Sequence, residues 1–250
     1  TRASKDIVDQ LRDCRVCGIV LDTMHDDLIG AVSHLNMPAV MMDSWDPRMR
    51  LDSVVQDGFQ GALLAAQHLV GRGHRRIGWL GPVGESTQSK ERFGGGMAGI
   101  VSARLAPEPA FLVDTPRAAV LDAARRMLDR PDRPTGVLAL WHESAAAMAQ
   151  AAAERGMLPG RDLDFIGWTP EEQLNTVYRS LFNGSMLPPT MVWSVAELTR
   201  VVVARLAERR ANSKQAPVLI KVPVKLLPGE GREEGSVFRV QEKNQELRID

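Results

Sequence analysis

Cys14 and Cys17 stand in a C-x-x-C spacing. Two thiols so placed suit a redox pair or half of a zinc site. A structural zinc site takes four ligands, and no second Cys or His pair follows at motif spacing. The simpler expectation is a helix-to-strand junction with two small, buried side chains. Asp26-Asp27 and Glu171-Glu172 are adjacent carboxylates on expected surface turns, a poor arrangement for an acid–base dyad. Gly94-Gly95-Gly96 is glycine-rich but lacks the G-x-G-x-x-G spacing after a strand. No G-x-S-x-G elbow, Walker loop or H-E-x-x-H occurs. These residues point away from an enzyme, and they call for neither metal nor cofactor.

Bulk properties narrow the class further. Lys plus Arg, 31, equals Asp plus Glu, 31, so the chain has no electrostatic case for binding nucleic acid unaided. Apolar residues are 44% of 250, enough for one large α/β domain or two linked lobes. No apolar run approaches the roughly 18 residues of a membrane span, and no secretory core opens the chain. A cytoplasmic protein without a membrane partner is expected.

The elements that must position any site alternate. Strand-like runs are Val16–Leu21, Ala39–Met42, Arg76–Leu80, Gly136–Leu140 and Asp164–Gly167. Helix-like stretches are Lys5–Arg12, Leu28–His34, Gly61–Val70, Arg92–Ala103, Ala118–Leu128, Ser144–Arg155 and Ala196–Arg209. Strand alternating with helix predicts parallel sheets covered on both faces. After Pro217, Val218–Leu227 alternates around Pro223, then a glycine-bracketed loop, a strand and a charged tail from Gln241 are expected.

Several segments keep a common order and spacing. They are Asp57-Gly58-Phe59-Gln60-Gly61-Ala62, His68-Leu69, Gly73-His74-Arg75-Arg76-Ile77-Gly78 and Gly81. Then come Arg92 with Gly94-Gly95, Pro134-Thr135-Gly136-Val137-Leu138, Ala151–Gly156 with Leu158-Pro159, Asp164 with Ile166-Gly167, and Pro188-Pro189-Thr190. In these segments the chain resembles the lac repressor family of bacterial transcription regulators. The resemblance implies two Rossmann-like lobes of the periplasmic-binding-protein type, with a small effector between them. It places the first lobe at 1–72 plus 194–212 and the second at 73–193 plus 213–250. It also implies an N-terminal strand–helix–strand and a DNA-binding head that this sequence lacks. Operator DNA would be contacted through that head, by a homodimer. The Ala-rich helix Ser144–Arg155 permits close helix approach in such a dimer.

Carried over from the family, the effector-contacting positions are Ser86, Gln88, Arg92, Thr115, Trp141, His142, Trp168 and Thr169 in the second lobe. The first lobe supplies Asp22, Thr23, Asp43, Ser44 and Asp57. This set suits a carbohydrate. Arg92, beginning a helix, offers a fork of donors; Gln88, Ser86 and Thr115 donate and accept; Trp141 supplies a stacking face. Three positions have a second reading: Arg92 as a helix-start residue that salt-bridges a neighbour, Trp168 as core, and His142 as a helix cap or surface residue. Two others depart from the family, with Thr169 replacing an acid and Trp141-His142 replacing an Asn-Asp pair. The alternative function is an extracytoplasmic sugar-binding protein of a transport system.

Overall fold

The computed structural model describes residues 6–7, 9–11, 16–35 and 37–230. Its strands are β1 (Ile19–Leu21), β2 (Ala39–Met42), β3 (Asp52–Gln56), β4 (Ile77–Gly81), β5 (Leu112–Asp114), β6 (Gly136–Leu138), β7 (Asp164–Pro170), β8 (Thr190–Trp193), β9 (Leu219–Val222) and β10 (Lys225–Leu227). Its α-helices are α1 (Asp26–Ser33), α2 (Gly58–Gly71), α3 (Thr87–Ser102), α4 (Val120–Asp129), α5 (His142–Ala153) and α6 (Val195–Ala211). Cys14 and the segment beyond 230, including the expected last strand and charged tail, lie outside the described residues. Cys17 is exposed, contrary to the buried junction expected.

Two sheets form, as the alternation implies. The first runs β1-β2-β3-β9 and is parallel throughout. The second runs β10-β8-β7-β6-β4-β5, parallel except for β10, which pairs antiparallel with β8. The central strands are buried on both faces, which explains why β4, β6 and most of β7 read as apolar or small-residue runs, while at the edge of the first sheet β1 leaves Val20 exposed. On the second sheet, α4 and α5 pack a core around Leu80, Val137, Phe165 and Met148 on one face. The other face carries α2 and α3, which bury Ala62, Ala66, Leu69, Trp79, Ile100 and Leu138. The smaller first sheet is sealed by α1 over Ile19 and Met41 and by α6 over Val40 and Val54.

Lobe membership differs from the expectation at two points. Helix α2 packs on α3, β6, β7 and β10, so the first crossing falls at Asp57, not at 72. Strand β9 belongs to the first sheet, and the chain changes sheet again between Val222 and Lys225, at Pro223. A proline there costs no ladder hydrogen bond. The remaining crossing, the middle one in the chain, lies at Ser194, where α6 leaves β8 to cover β2 and β3. Glu172, just after β7, secures that joint. Its carboxylate accepts from Ser194 Oγ (2.7 Å), Ala196 N (3.0 Å) and Val195 N (3.1 Å).

Inside the first lobe, α6 is anchored by a buried ion cluster. The Asp52 carboxylate accepts from Arg205 (3.0 Å), Arg209 (2.7 and 2.8 Å) and the Val218 N–H (2.9 Å). Desolvation pushes its pKa up, but those hydrogen bonds outweigh it and hold Asp52 below its ordinary value. In the second lobe, buried Asp164 joins Arg72 (2.7 Å) and His74 (2.9 Å), and the other His74 nitrogen meets the Thr135 hydroxyl at 3.0 Å. This network ties the amino ends of β4, β6 and β7, at the end of the sheet away from the crevice, and is structural.

The Ala-rich helix is consumed within its own lobe. Ala145, Ala147, Ala151 and Ala152 of α5 are buried in the core shared with α4. The glycine run is likewise structural. Gly95 and Gly99, one turn apart on α3, let α2 approach until a Gly95 Cβ would sit 2.0 Å from the Phe59 carbonyl oxygen and a Gly99 Cβ 2.8 Å from that of Leu63. Gly95→Ala should therefore force α2 and α3 apart. Overpacking of this kind costs about 1–3 kcal/mol. Urea unfolding should show at least that loss; unchanged stability would mean the helices do not meet this closely.

Candidate functional site

The parallel strands point their carboxyl ends at one crevice, where open α/β sheets hold ligands. The central residue there is Arg92. It lies in the second turn of α3, not at a helix start, because the helix begins five residues earlier. Ser86 caps it, accepting from Ser89 N (3.0 Å) while the Ser89 hydroxyl accepts from Ser86 N (2.9 Å). That Ser-x-x-Ser box was the available sequence signal; Gly94-Gly95-Gly96, poor helix formers, masked it.

Arg92 is 3% exposed and does not face solvent in an open cleft. Its guanidinium lies between two indoles, 4.1 Å from the Trp141 ring centroid and 4.3 Å from that of Trp168. One terminal nitrogen donates to the Leu140 carbonyl (2.7 Å), the other to Gln56 Oε1 (2.9 Å). Its Nε has no partner. Burial pushes its pKa down to about 9, the Asp43 charge pushes it up, and Arg117 pushes it down. It remains a cation at neutral pH.

Gln56, at the end of β3, was absent from the expected set and proves to be the hub. Its Oε1 accepts from Arg92 and from Trp168 Nε1 (2.7 Å), both in the second lobe. Its Nε2 donates to both Asp43 carboxylate oxygens in the first lobe (3.0 and 2.9 Å). Asp43 follows β2 with φ 54°, a left-handed conformation that Asp tolerates better than most residues. Gln88 donates to the Asp43 backbone carbonyl, a second crossing of the crevice.

The other expected residues divide. Trp168 is buried, packed against the space that Gly61 leaves; a Gly61 Cβ would lie 2.6 Å from its ring. Trp141 is half-buried over the end of β4, where Gly81 (φ 143°) brings no side chain, and the Arg117 guanidinium also lies 4.8 Å from its ring centroid. Its indole N–H has no partner. His142 opens α5 edge-on to Tyr178; desolvation holds its pKa below the ordinary value, and Arg92 and Arg117 add to that. Thr115 and Thr169 are buried, each hydroxyl reaching only a neighbouring proline carbonyl (3.4 and 3.3 Å). Asp57 is turned to cap α2 and to meet Lys221 (3.3 Å). Ser44 Oγ accepts from Thr23 N (3.4 Å). Desolvation first, then the Asp43 charge, raises the Asp22 pKa.

A cavity of about 10 Å³, room for about one water, remains beside the Arg92 stack. Asp43, Trp45, Gln56, Thr87, Gln88 and Glu91 line it; Arg92, Trp141 and Trp168 do not. Among the described residues, no cluster of three His, Cys, Asp or Glu side chains could hold a metal ion.

A family model described as the periplasmic binding protein-like domain matches residues 66–230. Relatives bearing regulator names match over most of this chain. The ribose operon repressor of Haemophilus influenzae is 26% identical over 72% of this chain and 53% of its own length. The PurR transcriptional repressor of Mannheimia succiniciproducens is 28% identical over 80% and 58%. The chain is a periplasmic binding protein-like domain of the LacI family. It spans a little over half the length of these curated relatives. Two solved structures carry ligands in their titles. The LacI-family regulator of Enterococcus faecium with bound ribose is 19% identical, with a TM-score of 0.72 over 90% of this chain and 81% of its own. The regulator CelR in complex with cellobiose is 19% identical, with a TM-score of 0.76 over 91% and 69%. At that identity they establish the fold. In this LacI-family domain the crevice between the lobes is bridged by protein side chains.

Removing the hub leaves a buried guanidinium and a buried indole N–H each short of a partner. Gln56→Ala should cost about 2–5 kcal/mol in guanidinium unfolding. A loss below about 0.5 kcal/mol would show that Arg92 and Trp168 are satisfied without it.

Proposed function

We propose that this domain is the effector-sensing part of a bacterial transcription regulator. It binds a small carbohydrate between its lobes and transmits the lobe arrangement to operator DNA through a DNA-binding head. The active species is a cytoplasmic homodimer, since two-fold operators are read by two-fold proteins. The reading rests chiefly on one observation: Gln56, Arg92 and Trp168 meet where the carboxyl ends of both sheets converge. A molecule lodged there touches both lobes at once. Its differential affinity for two lobe arrangements is what shifts their populations. The repressor names of the relatives, and the ribose and cellobiose in two fold neighbours, favour this over a transport protein. Among the described residues no helix is long and apolar enough to cross a membrane.

A thermal-shift screen tests the reading. An effector at about 100 times its Kd stabilises by roughly 2.7 kcal/mol. For about 250 residues that raises Tm by roughly 5–10 °C. At least one carbohydrate should do so and should also alter binding of the regulator to its own promoter DNA. A ligand that shifts Tm with no effect on DNA binding would contradict the regulatory role.

A further inference from the structure

Arg92 stands where sheets of this kind hold their ligands. Its guanidinium lies 4.1 Å from the Trp141 ring centroid and 4.3 Å from that of Trp168, well inside the roughly 6 Å reach of a cation–π contact. Arg117 lies 4.8 Å from the Trp141 ring, so two guanidinium groups and two indoles are gathered in one stack. The terminal nitrogens of Arg92 use the Leu140 carbonyl, beyond β6, and Gln56 Oε1, at the end of β3. Acceptors at the carboxyl ends of both sheets, the ends that open α/β sheets offer to ligands, are thus spent on one side chain. Beside the stack there is room for about one water.

Arg92 is held differently from the buried arginine of the scaffold. Arg205, 7% exposed, donates to the carboxylates of Asp52 (3.0 Å) and Glu208 (3.0 Å) and to Gln215 (3.1 Å). Both hydrogen bonds of Arg92 go to neutral acceptors. A buried cation is secure when a carboxylate touches it; otherwise much of the desolvation penalty stays with the side chain. The two pKa shifts follow that difference. Hydrogen bonding to Asp52 pushes Arg205 up, whereas burial pushes Arg92 down to about 9, with the Asp43 charge offsetting only part. The penalty is returned when the Arg92 guanidinium reaches water, so the stack is a costly resting place.

We propose that Arg92 is a tethered occupant of the crevice: its guanidinium takes a ligand's place between Trp141 and Trp168 while Gln56 bridges the lobes, and it leaves that place when the bridge opens. Resting on the sensing role above, an effector competes with Arg92 for the indoles and is not gripped by it. Apparent affinity is then the intrinsic affinity reduced by the fraction of molecules whose Arg92 is out. Ligand binding and the Arg92–Gln56 contact exclude each other, which couples occupancy to the lobe arrangement.

Arginine-selective modification of the unaltered chain tests the release. Phenylglyoxal reacts with a guanidinium once it is exposed, and peptide mass spectrometry reads each arginine separately. Under native conditions, and relative to the urea-unfolded chain, Arg92 should be modified at least tenfold faster than Arg205, which is buried to a similar degree but pinned by carboxylates. Equal protection of the two would show that Arg92 is fixed in the core and would overturn the proposal. Calorimetry with D-ribose, D-glucose and cellobiose tests the competition. Any of the three that binds should bind Arg92→Ala at least tenfold more tightly than wild type; Arg92→Met, which keeps an unbranched stem without the guanidinium, takes its place if the alanine variant does not fold. Weaker binding would make Arg92 an anchor and overturn the proposal while the sensing role stands. If none of the three binds either protein, the carbohydrate reading falls, and the modification rates alone decide for or against Arg92 as occupant.

Discussion

One carboxamide holds the two halves of this domain in register. Gln56, at the end of β3, accepts from Arg92 and Trp168 of the other lobe through Oε1, while its Nε2 donates to Asp43 of its own lobe, so its carboxamide is fixed at one end and spans the crevice at the other. Arg92 needs this arrangement. A guanidinium buried between two indoles has few routes to solvation, and the Leu140 carbonyl and Gln56 supply its two directed acceptors. Buried charges persist only when so compensated. The energetic cost of losing the bridge is thus shared by both lobes, which makes it a natural point for a ligand to act on.

The rest of the fold serves that junction by making each lobe stiff and each crossing definite. Asp52 with Arg205 and Arg209 locks α6 to the first sheet, and Asp164 with Arg72 and His74 locks the amino ends of the second. Gly95 and Gly99 let α2 and α3 pack as one slab, so that Arg92 has a fixed base. The crossings at Asp57, Ser194 and Pro223 are short, and Glu172 fastens the middle one. Rigid lobes on short joints turn a change of a few side-chain contacts into a change of relative orientation.

Much of this was legible in the residues. Ala39–Met42 occupies the strand expected of it, and α4, α5 and α6 begin within two residues of their expected starts, because apolar periodicity and glycine stops are local signals. Strand β3 was not anticipated, since Asp52 opens it with a carboxylate that only the tertiary ion cluster satisfies. The boundary at 72 failed for a related reason: nothing local says which sheet a helix such as α2 will cover. Arg92, Gln88 and Asp43 were expected near the effector and do meet at the crevice, but Gln56 and Thr87 were invisible. A glutamine ending a strand and a threonine opening a helix carry no signal until folding brings them together.

The most direct test measures the distance between the lobes. Spin labels at the exposed positions Val203 on α6 and Val101 on α3, with Cys14 and Cys17 replaced by serine, report that distance by pulsed electron paramagnetic resonance. With no ligand present, the bridge should give a single narrow distribution, and Gln56→Ala should broaden it or shift it to longer distances. A broad distribution without ligand, unchanged by Gln56→Ala, would contradict the claim that this carboxamide holds the lobes together.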